Sequence, residues 1–371
     1  MGLVARLPYP SASRSTLRCE MPVPAAAPPA CTWVVRMSDA VVPESLQPGS
    51  VVPESVVSLT NVQVQFGGGR VRAVDTVSLE VGRGEVVALV GESGCGKTTL
   101  IRSIIGLEPL AHGSIKVEGK AVGKGRSVRA LRQRVQMIFQ DPSGALNPRH
   151  SIYEAVAEGL RIHKVRGHEP TLVAEALAAA GLRPAERYLR RFPHELSGGQ
   201  RQRVVIAAAM ALQPALLLAD EPVASLDASI RGEILALMRS FVDTHGVSII
   251  AVTHDLGLAW NIADRVAVMY LGRIVEVGPT EEVLRAPKHP YSQALLSVVP
   301  EIEGMEQQIL VGETPDPSRI PAGCRFHPRC PLVASGEADR LGFGDKCRGV
   351  DLELEPEIAG HQVACHAVHP A

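Results

Sequence analysis

Between Val62 and Phe66 the chain alternates apolar and polar positions: Val62, Val64 and Phe66 against Gln63 and Gln65. That period of two predicts a half-buried strand. Farther on, short, mostly apolar runs come at Val86–Val90, Val135–Phe139, Leu216–Ala219, Val247–Thr253 and Val266–Tyr270. Runs of this length predict strands buried on both faces. Helical stretches separate most of them, the first from Lys97 to about Ile105 and ended by Gly106. Strand and helix in alternation predict an α/β fold layered around a mainly parallel sheet. Between Ser151 and Leu196 the strand pattern stops and helical segments take over, such as Tyr153–His163 and Thr171–Ala180. A helical insertion is expected there, spanning about residues 146–203.

The ends of the chain read differently. Residues 1–54 are rich in Pro, Ala, Ser and Val, repeat VVPES at Val41–Ser45 and Val51–Ser55, and hold no period. They are expected to be disordered. Arg6, Arg14 and Arg18 precede the first acid, Glu20, a faint transit-peptide pattern; the plainer expectation is an extension outside the fold, with Met37 a candidate start. After about Pro300 the chain turns Pro-, Gly- and Cys-rich. The expected plan is therefore an N-terminal segment over 1–54, an α/β domain over 55–300 and a C-terminal region over 301–371.

Composition narrows the function classes. Lys and Arg number 38 against 39 Asp and Glu, so the basic excess common in nucleic-acid binders is missing and no nucleic-acid partner is expected. The apolar stretch Val204–Ala219 is interrupted by Gln213 and Pro214 and falls short of the roughly 20 residues that cross a bilayer. A membrane role would be peripheral. Of the 7 cysteines, Cys324, Cys330, Cys347 and Cys365 crowd the C-terminal region. An odd count with no secretory apolar region points to a reducing compartment, where thiols bind metal more readily than they pair.

Three segments carry chemistry. Gly91-Glu92-Ser93-Gly94-Cys95-Gly96-Lys97-Thr98, followed by Thr99, fits G-x-x-x-x-G-K-[ST] between a buried strand and a helix. Its glycines let backbone N–H groups converge on phosphate oxygens, and the helix turns its positive end to the same anion. Lys97 would reach the outer phosphates and Thr98 would offer a hydroxyl to Mg²⁺. Cys95 reads as a small residue at a permissive position or as a thiol whose alkylation would block nucleotide. Leu216–Ala219 runs into Asp220 and Glu221, acids that are costly at a strand end without a task; Asp220 would hold Mg²⁺ and Glu221 would accept the proton of an attacking water. Leu196-Ser197-Gly198-Gly199-Gln200 opens a helix running to about Ala211, with Ser197 as N-cap and a second anion site at its start.

Taken together these residues resemble the nucleotide-binding domain of ABC (ATP-binding cassette) proteins, a P-loop NTPase fold, over about Val56 to Pro300. Gly91–Thr98 resembles Walker A, Leu196–Gln200 the signature, and Leu216–Asp220 Walker B, with Glu221 the catalytic glutamate. Gln140 resembles the Q-loop glutamine, which touches Mg²⁺ or water; His254 the switch histidine; Asp227 the D-loop aspartate; and Phe66 the aromatic that stacks on adenine. Two departures stand out: the D-loop reads Ala224-Ser225-Leu226-Asp227, its hydroxyl one place along, and Gly67–Gly69 follow Phe66 directly. The resemblance implies two such domains dimerising head to tail around two ATP molecules, closing on binding and opening on hydrolysis, and driving membrane partners through the Q-loop region.

A narrower resemblance lies in Gln140–Arg149, His289–Leu296 and Gly323–Pro331, which are similar to oligopeptide/dipeptide importer ATPases; nickel and some sugar or opine importers share that subfamily. It implies a second ATPase subunit, two permeases, indirectly an extracytoplasmic binding protein, and a place at the cytoplasmic face of the cell membrane. Peptide is the expected cargo, nickel or another small solute the alternative. For Cys324, Cys330, Cys347 and Cys365 it implies a [4Fe–4S] cluster; Zn²⁺, free thiols or disulfides remain open on spacing. A soluble ABC protein acting on DNA or ribosomes would need two cassettes or a coiled-coil insertion, an exporter would lack the C-terminal motifs, and an inert cassette would lack Glu221 and His254.

Overall fold

The computed structural model describes residues 55–123, 126–298, 310, 312, 315–358 and 360–369. The expectations for residues 1–54, including Met37, lie outside the described residues. Val52–Ala371 form one compact unit, so the C-terminal region belongs to the same unit as the preceding domain.

The strands are β1 (Ser55–Phe66), β2 (Val71–Gly82), β3 (Val86–Val90), β4 (His112–Val117), β5 (Lys120–Ala121), β6 (Val135–Ile138), β7 (Leu216–Asp220), β8 (Ser248–Thr253), β9 (Arg265–Tyr270), β10 (Arg273–Pro279), β11 (Glu355–Ile358) and β12 (His361–Val363). They form two sheets, a large one ordered β11-β12-β10-β9-β3-β8-β7-β6 and a small one ordered β2-β1-β4-β5. β6, β7, β8, β3 and β9 run parallel. The large sheet continues antiparallel through β10, β12 and β11, and the small sheet is antiparallel throughout.

The parallel strands are the apolar runs of the sequence. β3 is Val-Val-Ala-Leu-Val, and every residue in it is buried. Alternate residues serve opposite faces: Val86, Leu217, Ala219, Ile249 and Ala251 join the core under the helical insertion, while Val87, Leu89, Leu216, Leu218 and Ile250 join the core under the small sheet. The expectation of a mainly parallel sheet needs one amendment, because the small antiparallel sheet covers one face. Its signal was present in β2, where Val77, Leu79 and Val81 are buried and alternate with Ser78 and Glu80.

The α-helices before residue 299 are α1 (Lys97–Ile104), α2 (Arg126–Arg134), α3 (Pro142–Ala145), α4 (Ile152–His163), α5 (Glu169–Ala179), α6 (Glu186–Leu189), α7 (Gly198–Met210), α8 (Ala228–His245), α9 (Leu256–Ile262), α10 (Thr280–Arg285) and α11 (Pro290–Ser297). α4 and α5 match the helices expected in the insertion. α4 starts at a capping box, the Ser151 side chain accepting from the Glu154 N–H while the Glu154 carboxylate accepts from the Ser151 N–H. No helix among the described residues is long and apolar enough to cross a membrane.

The C-terminal region is stitched to the sheet by a buried carboxylate. Glu276 in β10 is fully buried and accepts from the backbone N–H groups of Lys288 and His289 and bonds His361 Nε2 in β12. Burial alone would raise its pKa; the hydrogen bonds from His361, Lys288 and His289 outweigh it and hold the carboxyl below its usual range. His289, wholly buried, is pushed down to about 4, so its neutral Nδ1 accepts from the Tyr291 N–H. Around it Tyr270, Tyr291 and Phe326 form an aromatic cluster, with ring centroids 4.7 Å apart for Tyr270–Tyr291 and 5.3 Å for Tyr270–Phe326.

Candidate nucleotide site

The loop between β3 and α1 is drawn tight by its glycines. Gly91 has φ +149°, and a Cβ there would lie 2.1 Å from the Met269 carbonyl oxygen. Gly96 has φ +107°, and its Cβ would meet the Ala73 carbonyl at the same 2.1 Å. The backbone approaches β9 and β2 so closely that no side chain fits. The free N–H groups at the start of α1 then face a cavity of about 500 Å³.

That cavity is lined by Ser93, Gly94, Gly96, Lys97, Thr98 and Thr99 from the loop. Across it stand Gln140 after β6, Asp220 and Glu221 at the end of β7, and His254 after β8. All of these sit at the carboxyl ends of parallel strands, where open α/β sheets bind ligands. The small sheet adds Ala73, which the sequence reading did not single out.

Lys97 is buried, and its ammonium donates to the carbonyls of Gly91 (2.8 Å) and Glu92 (2.9 Å). The Thr98 hydroxyl donates to Asp220 Oδ1 at 3.0 Å. Burial pushes the Asp220 carboxyl up, opposed by the Thr98 hydrogen bond and the positive charge of Arg102 and Lys97. Glu221 is the hub of the second half of the site. Gln140 Nε2 donates to Glu221 Oε2 at 2.8 Å, and His254 Nδ1 lies 3.0 Å from Glu221 Oε1. Glu221 itself has φ +47°, a left-handed conformation uncommon for a side-chain-bearing residue, and its N–H donates to the Val252 carbonyl. Strain of this kind persists where the surroundings over-determine it, typically at working sites.

Not every expected residue meets at this cavity. Phe66 ends β1 in register with Val71 and is 39 % exposed, beyond the cavity lining. Gly67, Gly68 and Gly69 form the turn after it, each at positive φ, so the glycines close a hairpin without displacing Phe66 from its strand. Ser197, Gly198, Gly199 and Gln200 also lie outside the cavity. Ser197 caps α7 through a capping box with Gln200. Asp227 is the N-cap residue of α8 without a side-chain cap bond, and Ala224 and Ser225 before it are exposed.

Cys95 is buried and its Sγ lies 3.7 Å from the Lys97 ammonium. Burial raises its pKa despite Lys97. A covered, protonated thiol is a poor target for alkylation, which favours the small-residue reading over the reactive one.

The four C-terminal cysteines gather in one region, and the Cys324 N–H donates to the Cys347 carbonyl. Burial pushes the Cys324 thiol up to about 12 and the Cys365 thiol up to about 11, with neighbouring cysteines adding to the rise in each. Among the described residues, however, no group of three or more His, Cys, Asp or Glu is placed to hold a metal ion.

The donor set in the main cavity does fit ATP with Mg²⁺: backbone N–H groups and an ammonium for phosphate, and a hydroxyl beside a carboxylate for a hard cation. The sequence reading missed Tyr291 and Arg329, which hold the loop from behind and lie 199 and 237 residues beyond Glu92. Both lie inside motifs visible in the sequence, but no local pattern shows that they reach the loop.

Known proteins agree with this geometry. Residues 74–224 match the family described as ABC transporter, and residues 275–336 match the oligopeptide/dipeptide transporter C-terminal region. A putative peptide import ATP-binding protein of Brucella abortus is 44 % identical over 307 residues, 81 % of this chain and 88 % of that protein. A di/tripeptide transport ATP-binding protein of Pseudomonas aeruginosa is 42 % identical over 308 residues, 81 % and 91 % of the two chains. The solved structure of cbiO1 from Clostridium perfringens superposes with a TM-score of 0.57 at 29 % identity, covering 62 % of this chain and 90 % of that one. An ATP-binding cassette solved as a dimer after hydrolysis, with ADP and Pi, gives 0.55 at 27 % identity over 60 % and 98 %. With the phosphate loop, the paired acids and the C-terminal motifs all in place, the chain belongs to the ABC transporter ATP-binding proteins, in their oligopeptide/dipeptide subfamily.

Proposed function

We propose that this chain hydrolyses ATP to power peptide import, working in a pair of ATPase subunits beneath two permeases at the cytoplasmic face of the membrane. The observation that carries the reading is Glu221 held between Gln140 and His254, facing Lys97 and Thr98 across one cavity.

The chemistry follows from these positions. The loop N–H groups and Lys97 hold the triphosphate. Glu221 accepts a proton from water as the water oxygen attacks the γ-phosphorus; the bond from that phosphorus to the bridging oxygen breaks, and ADP leaves with the electron pair. His254 and Gln140 fix the Glu221 carboxylate so that little reorganisation is needed during the step. Mg²⁺, when bound by Thr98 and Asp220 with Gln140 near it, neutralises charge on the phosphate oxygens.

Ser197–Gln200 and Asp227 stand apart from their own subunit's cavity, which suits groups that act on the nucleotide of a second subunit. The dimeric post-hydrolysis relative supports that arrangement. A groove of about 330 Å³ beside the insertion, where Phe139, Leu146, Ile162 and Leu212 stand with the polar Arg132 and Glu158, suits an amphipathic permease helix, and Phe139 directly precedes Gln140. Peptide as cargo rests on the named relatives.

The test is to trap the Glu221→Gln protein with ATP in native membranes and identify what co-purifies. Two permeases, with or without a second ATPase, are expected. Ribosomal or DNA-repair proteins with no membrane partner would contradict the importer reading.

The [4Fe–4S] or Zn²⁺ site proposed for Cys324, Cys330, Cys347 and Cys365 has the gathering of four thiols as its support, and the motor chemistry does not depend on it. Iron and zinc analysis of anaerobically purified protein, with the absorbance near 400 nm, decides it; protein free of both metals contradicts it.

A further inference from the structure

The phosphate loop has a back as well as a front. Glu92 is its second residue, next to Ser93, which lines the cavity. The Glu92 N–H donates to the Tyr291 hydroxyl oxygen at 2.9 Å. The Glu92 carboxylate receives a two-pronged hydrogen bond from Arg329, at 2.9 and 3.0 Å. Neither Tyr291 nor Arg329 lines the cavity. Tyr291 is fully buried, and the Arg329 side chain is only 8 % exposed. The Arg329 guanidinium also lies over the Tyr270 ring, 5.9 Å from its centroid, and Tyr270 packs on Tyr291.

We propose that Arg329 and Tyr291 are positioning residues of the nucleotide site, a clamp through which the C-terminal region fixes the phosphate loop and sets its affinity for ATP. This rests on the ATPase reading above. The clamp acts in two ways. Its forked bond fixes Glu92 in orientation as well as place, which a lysine cannot do. It also neutralises a carboxylate one residue from the phosphate cavity, near enough for a bare charge there to act on a bound anion. Without Arg329 the half-buried negative charge of Glu92 would lose the guanidinium that balances it, against the loop that must receive an anion.

That charge logic yields a test a merely structural role would not satisfy. ATP affinity is measured by equilibrium titration on the full chain, for wild type, Arg329→Gln, Arg329→Lys and the double variant Glu92→Gln/Arg329→Gln. Arg329→Gln should weaken ATP binding roughly tenfold or more, with the loss falling mainly on KM. Arg329→Lys should lie between it and wild type. The double variant, which removes both charges, should recover most of the affinity. Arg329→Gln binding like wild type, or a folded double variant as weak as Arg329→Gln, overturns the proposal. If Arg329→Gln does not fold, Tyr291→Phe takes its place: it deletes only the hydroxyl that accepts from Glu92, and should weaken ATP several-fold, whereas wild-type affinity overturns the clamp. Wild type that binds no ATP overturns the ATPase reading and the clamp with it; wild-type binding with an indifferent Arg329→Gln overturns the clamp alone.

Discussion

The two sides of the phosphate loop are built on different principles. In front, Gln140, Glu221 and His254 reach into an open cavity from three strand ends and touch one another through single hydrogen bonds. Behind, Tyr291, Tyr270 and Phe326 are packed ring against ring, and Arg329, lying over the Tyr270 ring, forks onto Glu92. As the proposed catalytic face, the front must admit a ligand and move a proton, so its groups need access to the cavity. The back moves nothing and can be buried, where a fixed hydrogen bond resists rearrangement better than one exposed to water. On the proposed reading, one loop separates the groups that do chemistry from those that hold it still.

The sharpest break of this contrast comes at Glu221. Glu221→Gln keeps the shape and the hydrogen bond from Gln140 but removes the base, so turnover should fall by roughly 10²-fold or more while ATP still binds; phosphate release and nucleotide binding measured on one preparation check this. Gly91→Ala tests the close approach of loop to sheet. With its Cβ 2.1 Å from the Met269 carbonyl, it should lower stability by about 1–3 kcal/mol and impair ATP binding, read by denaturant unfolding and titration.

Asp220 gives a smaller effect with a defined pH sign. Its pKa is raised in the folded protein by burial, so ionising it costs stability once pH rises above the ordinary aspartate range near ~4. Asp220→Asn should therefore melt at higher temperature than wild type at pH 7 without nucleotide. The difference should shrink as pH falls towards ~4, and Mg²⁺-dependent hydrolysis should be impaired. Melting curves across pH that show no such trend would contradict the assignment. The smallest change expected is at Ser197. Removing its cap bond to α7 by Ser197→Ala should cost about 0.5–2 kcal/mol without altering ATP binding to the isolated chain, since Ser197 lies outside the cavity.

The front of the loop was legible in the sequence and the back was not, for a physical reason. Gly91–Thr98, Asp220–Glu221 and the cap at Ser197 are local patterns: each residue's task is set by neighbours a few places away, and the parallel strands were visible as apolar runs. Glu92's partners are far along the chain, joined to it only once β9 and β10 bring the C-terminal region onto the sheet. A buried Tyr hydroxyl or Arg fork leaves no periodic trace. The small antiparallel sheet was missed for a lesser reason, since Val77, Leu79 and Val81 carry the pattern in plain view. The cysteines stand differently: a crowd of thiols in sequence suggested a ligand set, and the fold gathers them, while among the described residues no group of three or more is placed to hold a metal ion.

The division between chemistry and grip is tested most directly by one steady-state experiment, ATP hydrolysis against ATP concentration for wild type, Glu221→Gln and Arg329→Gln. The account predicts that Glu221→Gln loses kcat while still binding ATP, and that Arg329→Gln shifts the curve to higher ATP with the larger change in KM. A Glu221→Gln protein that turns over like wild type, or an Arg329→Gln protein whose loss lies wholly in kcat, would contradict it.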